Sequence, residues 1–170
     1  LITADGPLDG PVFVEAVRAA YPADSIQRGI FRGLADVAHA EELEMLHGAP
    51  WIEEELRIPD TGSGGAGPDR VLRFRLSPLS FFQTNTLGAE QLYGMVRQWV
   101  RARGPETLYD LYGGMGCIAL ACADLATRVY SVESVASASE DGRFNAAANE
   151  VGNVDFVTEH PGVPRVIFQE

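Results

Sequence analysis

From residue 107 the chain alternates strand-length and helix-length runs, and no other feature restricts its fold as much. Runs at 107–112, 128–133, 154–158 and 165–169 read as strands, and 116–125 and 135–151 read as helices. Alternation at this spacing implies right-handed crossovers and therefore a parallel sheet. Ligands of such sheets bind beyond the carboxyl ends of the strands. Asp110 and Glu133 lie at two of these ends, and Gly113-Gly114-Met115-Gly116 turns the first strand into the first helix.

A glycine turn between strand and helix lets a ligand approach the backbone and offers it the helix amides. The run from Gly114 through Gly116 and Cys117 also fits the loose dinucleotide fingerprint, with Glu133 far enough on to bind a ribose. Asp110 weighs against a dinucleotide, because a carboxylate just before the turn repels a pyrophosphate. S-adenosylmethionine (SAM) carries no phosphate but does carry an ammonium and a sulfonium, so an acid here suits it. Glu133 can accept hydrogen bonds from the ribose hydroxyls. The alternative for Asp110 is an acid that orders the loop and never meets a ligand.

Ahead of this region two alternating segments flank Asp60-Thr61-Gly62-Ser63-Gly64-Gly65-Ala66-Gly67-Pro68-Asp69. Ile52, Glu54, Leu56 and Ile58 share one side of the first segment, and Leu72, Phe74 and Leu76 one side of the second. A hairpin is the natural reading and a domain linker the alternative. In a hairpin Glu53 and Glu55 can face Arg73 and Arg75. Earlier, Phe13, Ala16, Val17, Ala20 and Tyr21 recur at helical spacing, with Asp9 as a cap and Pro22 as a stop, and 25–31 reads as a strand. After the hairpin, Ala89, Leu92, Tyr93, Val96, Trp99 and Val100 form an apolar stripe ending at Gly104-Pro105, read as core packing. The expected division is 1–76 as a small central α/β domain and 77–170 as the start of a larger one.

The net charge of −11 argues against a chain that grips a phosphate backbone unaided, although thirteen basic residues leave room for a local patch. No apolar run reaches bilayer-spanning length. The start, Leu1-Ile2-Thr3-Ala4-Asp5-Gly6, is not a signal peptide, and without a Met it leads one to expect further sequence upstream. Cys117 and Cys122 read as small buried thiols of a cytoplasmic protein. They and His39, His47 and His160 show no metal-ligand spacing, so no metal is expected.

The resemblance becomes specific over Phe74-Arg75-Leu76-Ser77-Pro78-Leu79-Ser80-Phe81-Phe82-Gln83-Thr84-Asn85-Thr86, then Asp110 to Gly116, Val132-Glu133, and Asn145-Ala146-Ala147-Ala148-Asn149. Together these segments resemble the SAM-dependent RNA uracil-5 methyltransferases, which make 5-methyluridine in transfer or ribosomal RNA. The stretch 25–56, with Leu46-His47-Gly48 and Ile52-Glu53-Glu54, is similar to that family's central domain. The resemblance implies a Rossmann-like class I methyltransferase domain, incomplete at its carboxyl end, behind a central domain that faces RNA.

It also implies that Gln83 contacts SAM, that Tyr112 lines the pocket, that Glu133 holds the ribose and that His160 falls near a further contact. Gly114 stands where the family commonly has Cys, and Cys117 where it often has Asn or Thr. The bland reading of Gln83 is a cap for the helix that follows. The nucleophilic Cys and the general base of these enzymes are expected beyond Glu170, which leaves no catalytic residue within the chain and makes it a fragment of the enzyme. Competing readings are a SAM methyltransferase for a protein or small molecule, and a non-catalytic SAM- or RNA-binding remnant.

Overall fold

A computed structural model describes residues 1–33, 40–60, 68–78 and 80–158. By packing, the chain divides into two units, one of 1–52 with Ser77 and Pro78, the other of 53–76 with the residues from Ser80 onward.

In the first unit β1 (Ile2–Thr3) runs parallel to β2 (Ser25–Ile30), and β2 runs antiparallel to β3 (Glu42–Gly48) with a bulge at Ile26/Gln27. The helix α1 (Gly10–Ala20) begins as its sequence predicts, with Asp9 Oδ1 accepting from Val12 N at 3.2 Å. Its apolar stripe is not buried, and only Phe13, Val14 and Val17 are even half-covered. Arg28 is the buried cation of this unit. It donates to Thr3 Oγ1 at 2.9 Å and to the carbonyls of Ala4 and Gly6 at 3.4 and 2.5 Å.

The second unit opens with β4 (Ile52–Ile58) and β5 (Arg70–Leu76), paired in a two-stranded sheet as the alternation predicts. The loop that joins them at 61–67 lies outside the described residues. Glu55 meets Arg73 at 3.3 Å, as expected, but Arg75 pairs with Asp141 instead. The sequence division at residue 77 puts this hairpin with the first unit; the packing draws it into the second. The physical reason is its apolar side: Leu56, Ile58, Leu72 and Phe74 are all buried, in one core with Ala89, Tyr93, Met115, Cys117 and Leu120.

The helix α2 (Thr86–Arg103) follows, capped by Asn85 and ended by a left-handed Gly104. Its stripe is only partly core. Ala89 and Tyr93 are buried, Leu92 is 44% exposed and Trp99 is 62% exposed. The helix also buries Arg97, which spans Asp124 with bonds of 2.6 and 2.9 Å and donates to the Ala121 carbonyl.

The strands β6 (Thr107–Leu111), β7 (Arg128–Glu133) and β8 (Val154–Thr158) form a parallel sheet in that order. They are connected through α3 (Cys117–Cys122) with a 3-10 turn at Ala123–Leu125, and through α4 (Ala136–Ala148). The strand expected at 165–169 lies outside the described residues. Phe156 of β8 explains two glycines: a Cβ on Gly116 would come within 2.6 Å of its ring, and one on Gly142 within 2.3 Å. No helix among the described residues is long and apolar enough to cross a membrane.

Candidate functional site

The strand-to-helix turn is built around the two expected carboxylates. Asp110, on the penultimate residue of β6, is 9% exposed, and its Oδ2 accepts from the amide of Ala119 at 3.0 Å. It therefore does order the helix, and it also faces a cavity. Burial pushes its carboxyl up to about 6; the Ala119 bond opposes that rise and Glu133 adds to it. Glu133 ends β7, and its Oε2 accepts from Gly114 N at 3.0 Å. Its Oε1 accepts from Val135 N at 2.8 Å and Ser134 Oγ at 3.2 Å. Burial raises this carboxyl, but the bonds from Val135, Gly114 and Ser134 outweigh it and hold the group below the ordinary value.

Above the turn lies a cavity of about 150 Å³. Phe81, Phe82 and Gln83 wall one side, Leu92 and Tyr93 of α2 another, and Asp110, Tyr112, Gly114, Cys117 and neighbouring turn residues the rest. Five of the seven residues expected from sequence thus share one cavity: Gln83, Asp110, Tyr112, Gly114 and Cys117. Glu133 sits behind the turn, bonded to it. Gly116 is packed against Phe156 instead of lining the cavity.

Gln83 does not cap α2; that is Asn85, whose Oδ1 accepts from Gly88 N at 2.9 Å. Gly114 has φ +56°, and a Cβ there would meet nothing within 4 Å, so the turn presents bare backbone to open space. Tyr112 has φ +61° and is 94% exposed. A bulky residue in the left-handed region stores strain, on the order of 1–3 kcal/mol, and such outliers cluster at ligand sites. His160 lies outside the described residues.

Cys117 and Cys122 are free and buried. Burial pushes the Cys117 thiol up to about 12, against the hydrogen bond from Tyr93, and the Cys122 thiol up to about 11. Neither is a thiolate near neutral pH.

Leu92 and Tyr93, both read as core packing from sequence, line the cavity as well; Tyr93 is in the core as expected, whereas Leu92 is 44% exposed. A helical stripe does not separate side chains that meet a neighbouring element from those that overhang a gap beside it. Phe81 and Phe82 stand inside the motif and also line the cavity; adjacent aromatics beside a polar Gln are the signal that sets this segment apart from the alternating strands around it.

The model of the tRNA (uracil-5-)-methyltransferase family matches residues 37–159. The chain belongs to that family. Over 124 residues it is 36% identical to an uncharacterized RNA methyltransferase of Clostridium tetani, covering 73% of this chain and 24% of the relative. Over 85 residues it is 45% identical to mouse tRNA (uracil-5-)-methyltransferase homolog A, covering 50% of this chain and 14% of that protein.

Among solved structures it resembles Pyrococcus abyssi tRNA (uracil-54, C5)-methyltransferase in complex with S-adenosyl-L-homocysteine. The TM-score is 0.65 at 26% identity, over 94% of this chain and 34% of that one. The fold is Rossmann-like, as expected from the strand and helix alternation. The chain spans a quarter or less of the length of these two curated relatives.

Proposed function

We propose that this chain carries the SAM-binding part of an RNA (uracil-5-)-methyltransferase whose product is 5-methyluridine. The observation that carries the reading is the shared cavity, in which Gln83, Asp110, Tyr112 and the bare Gly114 backbone converge above a turn bonded to Glu133. The donor set fits the cofactor. A nucleoside methionine needs an acid near its cationic end, an open backbone turn and a second acid near its ribose, and needs no phosphate cradle. At about 150 Å³ the cavity encloses part of such a ligand, since pockets that swallow a small molecule run to roughly 300–1,000 Å³.

SAM, when bound, supplies the methyl group. Within this reading Gln83 offers its amide to the ligand, Tyr112 covers it, and Asp110 balances its positive charge. Glu133 already accepts from the amides of Gly114 and Val135 and from Ser134, so a ribose hydroxyl competes with the Ser134 bonds for this carboxylate.

The first unit belongs to the RNA side of the enzyme in this proposal, and the cytoplasmic setting goes with it. Residues 1–52 hold three arginines against eight acidic residues, so this unit brings little phosphate affinity of its own.

Calorimetry with SAM, S-adenosylhomocysteine and NAD tests the reading. SAM and its product bind and NAD does not. Glu133→Gln keeps the side-chain shape and removes the charge from one or more bonds, so it weakens binding by about 1.5–3 kcal/mol, roughly ten- to a hundredfold. Unchanged affinity in that variant, or tighter binding of NAD, would defeat the assignment.

A further inference from the structure

The segment that brings Gln83 to the cavity is held at two polar points. The first is Ser80, whose Oγ donates to Asp141 Oδ2 at 2.7 Å. Asp141 lies on α4 and is 2% exposed. Its Oδ1 accepts from Nε and Nη2 of Arg75 at 3.1 and 2.8 Å, and the same guanidinium lies 3.9 Å over the Phe144 ring. The second point is Asn85, the cap of α2, reinforced by Thr86 Oγ1 donating to Glu54 Oε1 at 2.8 Å. Between them, residues 81–84 make no hydrogen bond to any described residue. Their one packed anchor is Phe82 against Phe74, with ring centroids 6.0 Å apart and planes tilted by 51°.

Phe81, Phe82 and Gln83 nevertheless form one wall of the cavity. We propose that the Ser80–Asp141 pair is a latch, and that Ser80 and Asp141 are positioning residues for the cofactor that act through Gln83. The inference rests on reading the cavity as the SAM site and adds the device that sets its geometry.

A buried carboxylate demands full hydrogen bonding. Asp141 is already oriented by Arg75, so it offers Ser80 a fixed point of attachment rather than a mobile one. With the latch closed, the backbone from Ser80 to Asn85 spans two immobile ends, and the Gln83 amide needs little further ordering when the ligand arrives. With it open, ordering this short stretch is drawn from the binding free energy. Asp141 carries the hairpin through Arg75, so replacing it disturbs the fold as well. Replacing Ser80 leaves the Arg75–Asp141 pair in place, and the double variant with Gln83 separates positioning from stability.

The measurement is the affinity for S-adenosylhomocysteine of the wild-type chain and of Ser80→Ala, Ser80→Thr, Gln83→Ala and the Ser80→Ala/Gln83→Ala pair, each with its melting temperature. Ser80→Ala binds about tenfold more weakly, the scale of one lost hydrogen bond, and melts somewhat lower because the buried Asp141 carboxylate loses a partner, so affinity is compared well below both melting temperatures. Ser80→Thr keeps the hydroxyl and recovers most of the affinity. The double variant binds no more weakly than Gln83→Ala alone, because the latch has no further target once the amide is gone. Wild-type affinity in Ser80→Ala overturns the latch, as does a double variant that loses the product of the two single effects. If the wild-type chain itself fails to bind, the cofactor reading falls and the latch with it, an outcome distinct from either of those.

Discussion

Asp110 does two things with one carboxyl group, and the pH dependence of stability reports on it. Its folded-state value of about 6 lies above the ordinary 3.8 because burial disfavours the charge, so the folded chain holds this proton more tightly than the unfolded chain. The stability tied to the group is full below about pH 4 and is lost as the pH rises through about 6. A gap of about two units amounts to something on the order of 3 kcal/mol. Asp110→Asn keeps the shape and an acceptor for Ala119 N without the titration. Relative to wild type it therefore gains stability as the pH is raised from 4 to 7. Urea titrations at a series of pH values measure this, and a difference that stays flat with pH means that Asp110 titrates as an exposed carboxylate does.

At the scale of elements, α4 is legible as a helix, read at 135–151 and found at Ala136–Ala148, but what its buried face does is the least legible packing in the chain. Its buried face is Ala138, Ser139, Asp141, Gly142, Asn145 and Ala146, a set with little hydrophobic period to detect. Asn145 accepts from Arg75 N at 2.8 Å and donates to Arg75 O at 3.2 Å. Asn149 accepts from Arg73 N at 2.8 Å and donates to Arg73 O at 2.7 Å. Four helical residues rise about 6 Å and two strand residues about 6.7 Å, so two side-chain amides can serve β5 in place of a neighbouring strand.

Asn145→Ala removes a fully buried amide and leaves the part-buried Arg75 amide and carbonyl without these partners, at a cost of about 2–4 kcal/mol. Asn149→Ala, nearer solvent, costs less. Chemical denaturation of the two variants gives the ranking, and an equal or reversed order contradicts the strand-mimic account.

Over the whole molecule, the chemistry of uridine C5 methylation can be set against what these 170 residues hold. A thiolate must add to C6 so that C5 becomes nucleophilic enough to take the methyl group, and a base then removes the C5 proton. The only two thiols are Cys117 and Cys122, both buried and pushed far above neutral. The expected outcome is that the chain by itself binds SAM and transfers no methyl group to uridine-containing RNA. Incubation with radiolabelled SAM and unmodified transfer and ribosomal RNA, followed by digestion to nucleosides, checks this. Labelled 5-methyluridine above background places a nucleophile within the chain, and separate replacement of the two cysteines identifies it.

What the sequence determined by itself was local in origin. The strand and helix alternation from residue 107, the acids at two strand ends, the glycine turn, the Asp9 cap and the two alternating strands are properties of short windows, set by backbone sterics and side-chain period. They were enough to specify a parallel sheet and to point to Asp110, Gly114 and Cys117 on the cavity wall, while Gln83 and Tyr112 came only with the family resemblance.

Tertiary structure decided which of several capable groups met which partner. Arg75 was equally able to face a glutamate across the hairpin or to reach α4, and the burial of Leu56, Ile58, Leu72 and Phe74 against the second unit brought it to Asp141, 66 residues away. Gln83 and Asn85 were both able to cap α2, and the backbone at residue 85 gave the cap to Asn85 and left Gln83 on the cavity wall. Gly116 looked like a site for close ligand approach and is instead filled by the Phe156 ring. In each case the long-range packing that made the choice is absent from any short window of the chain.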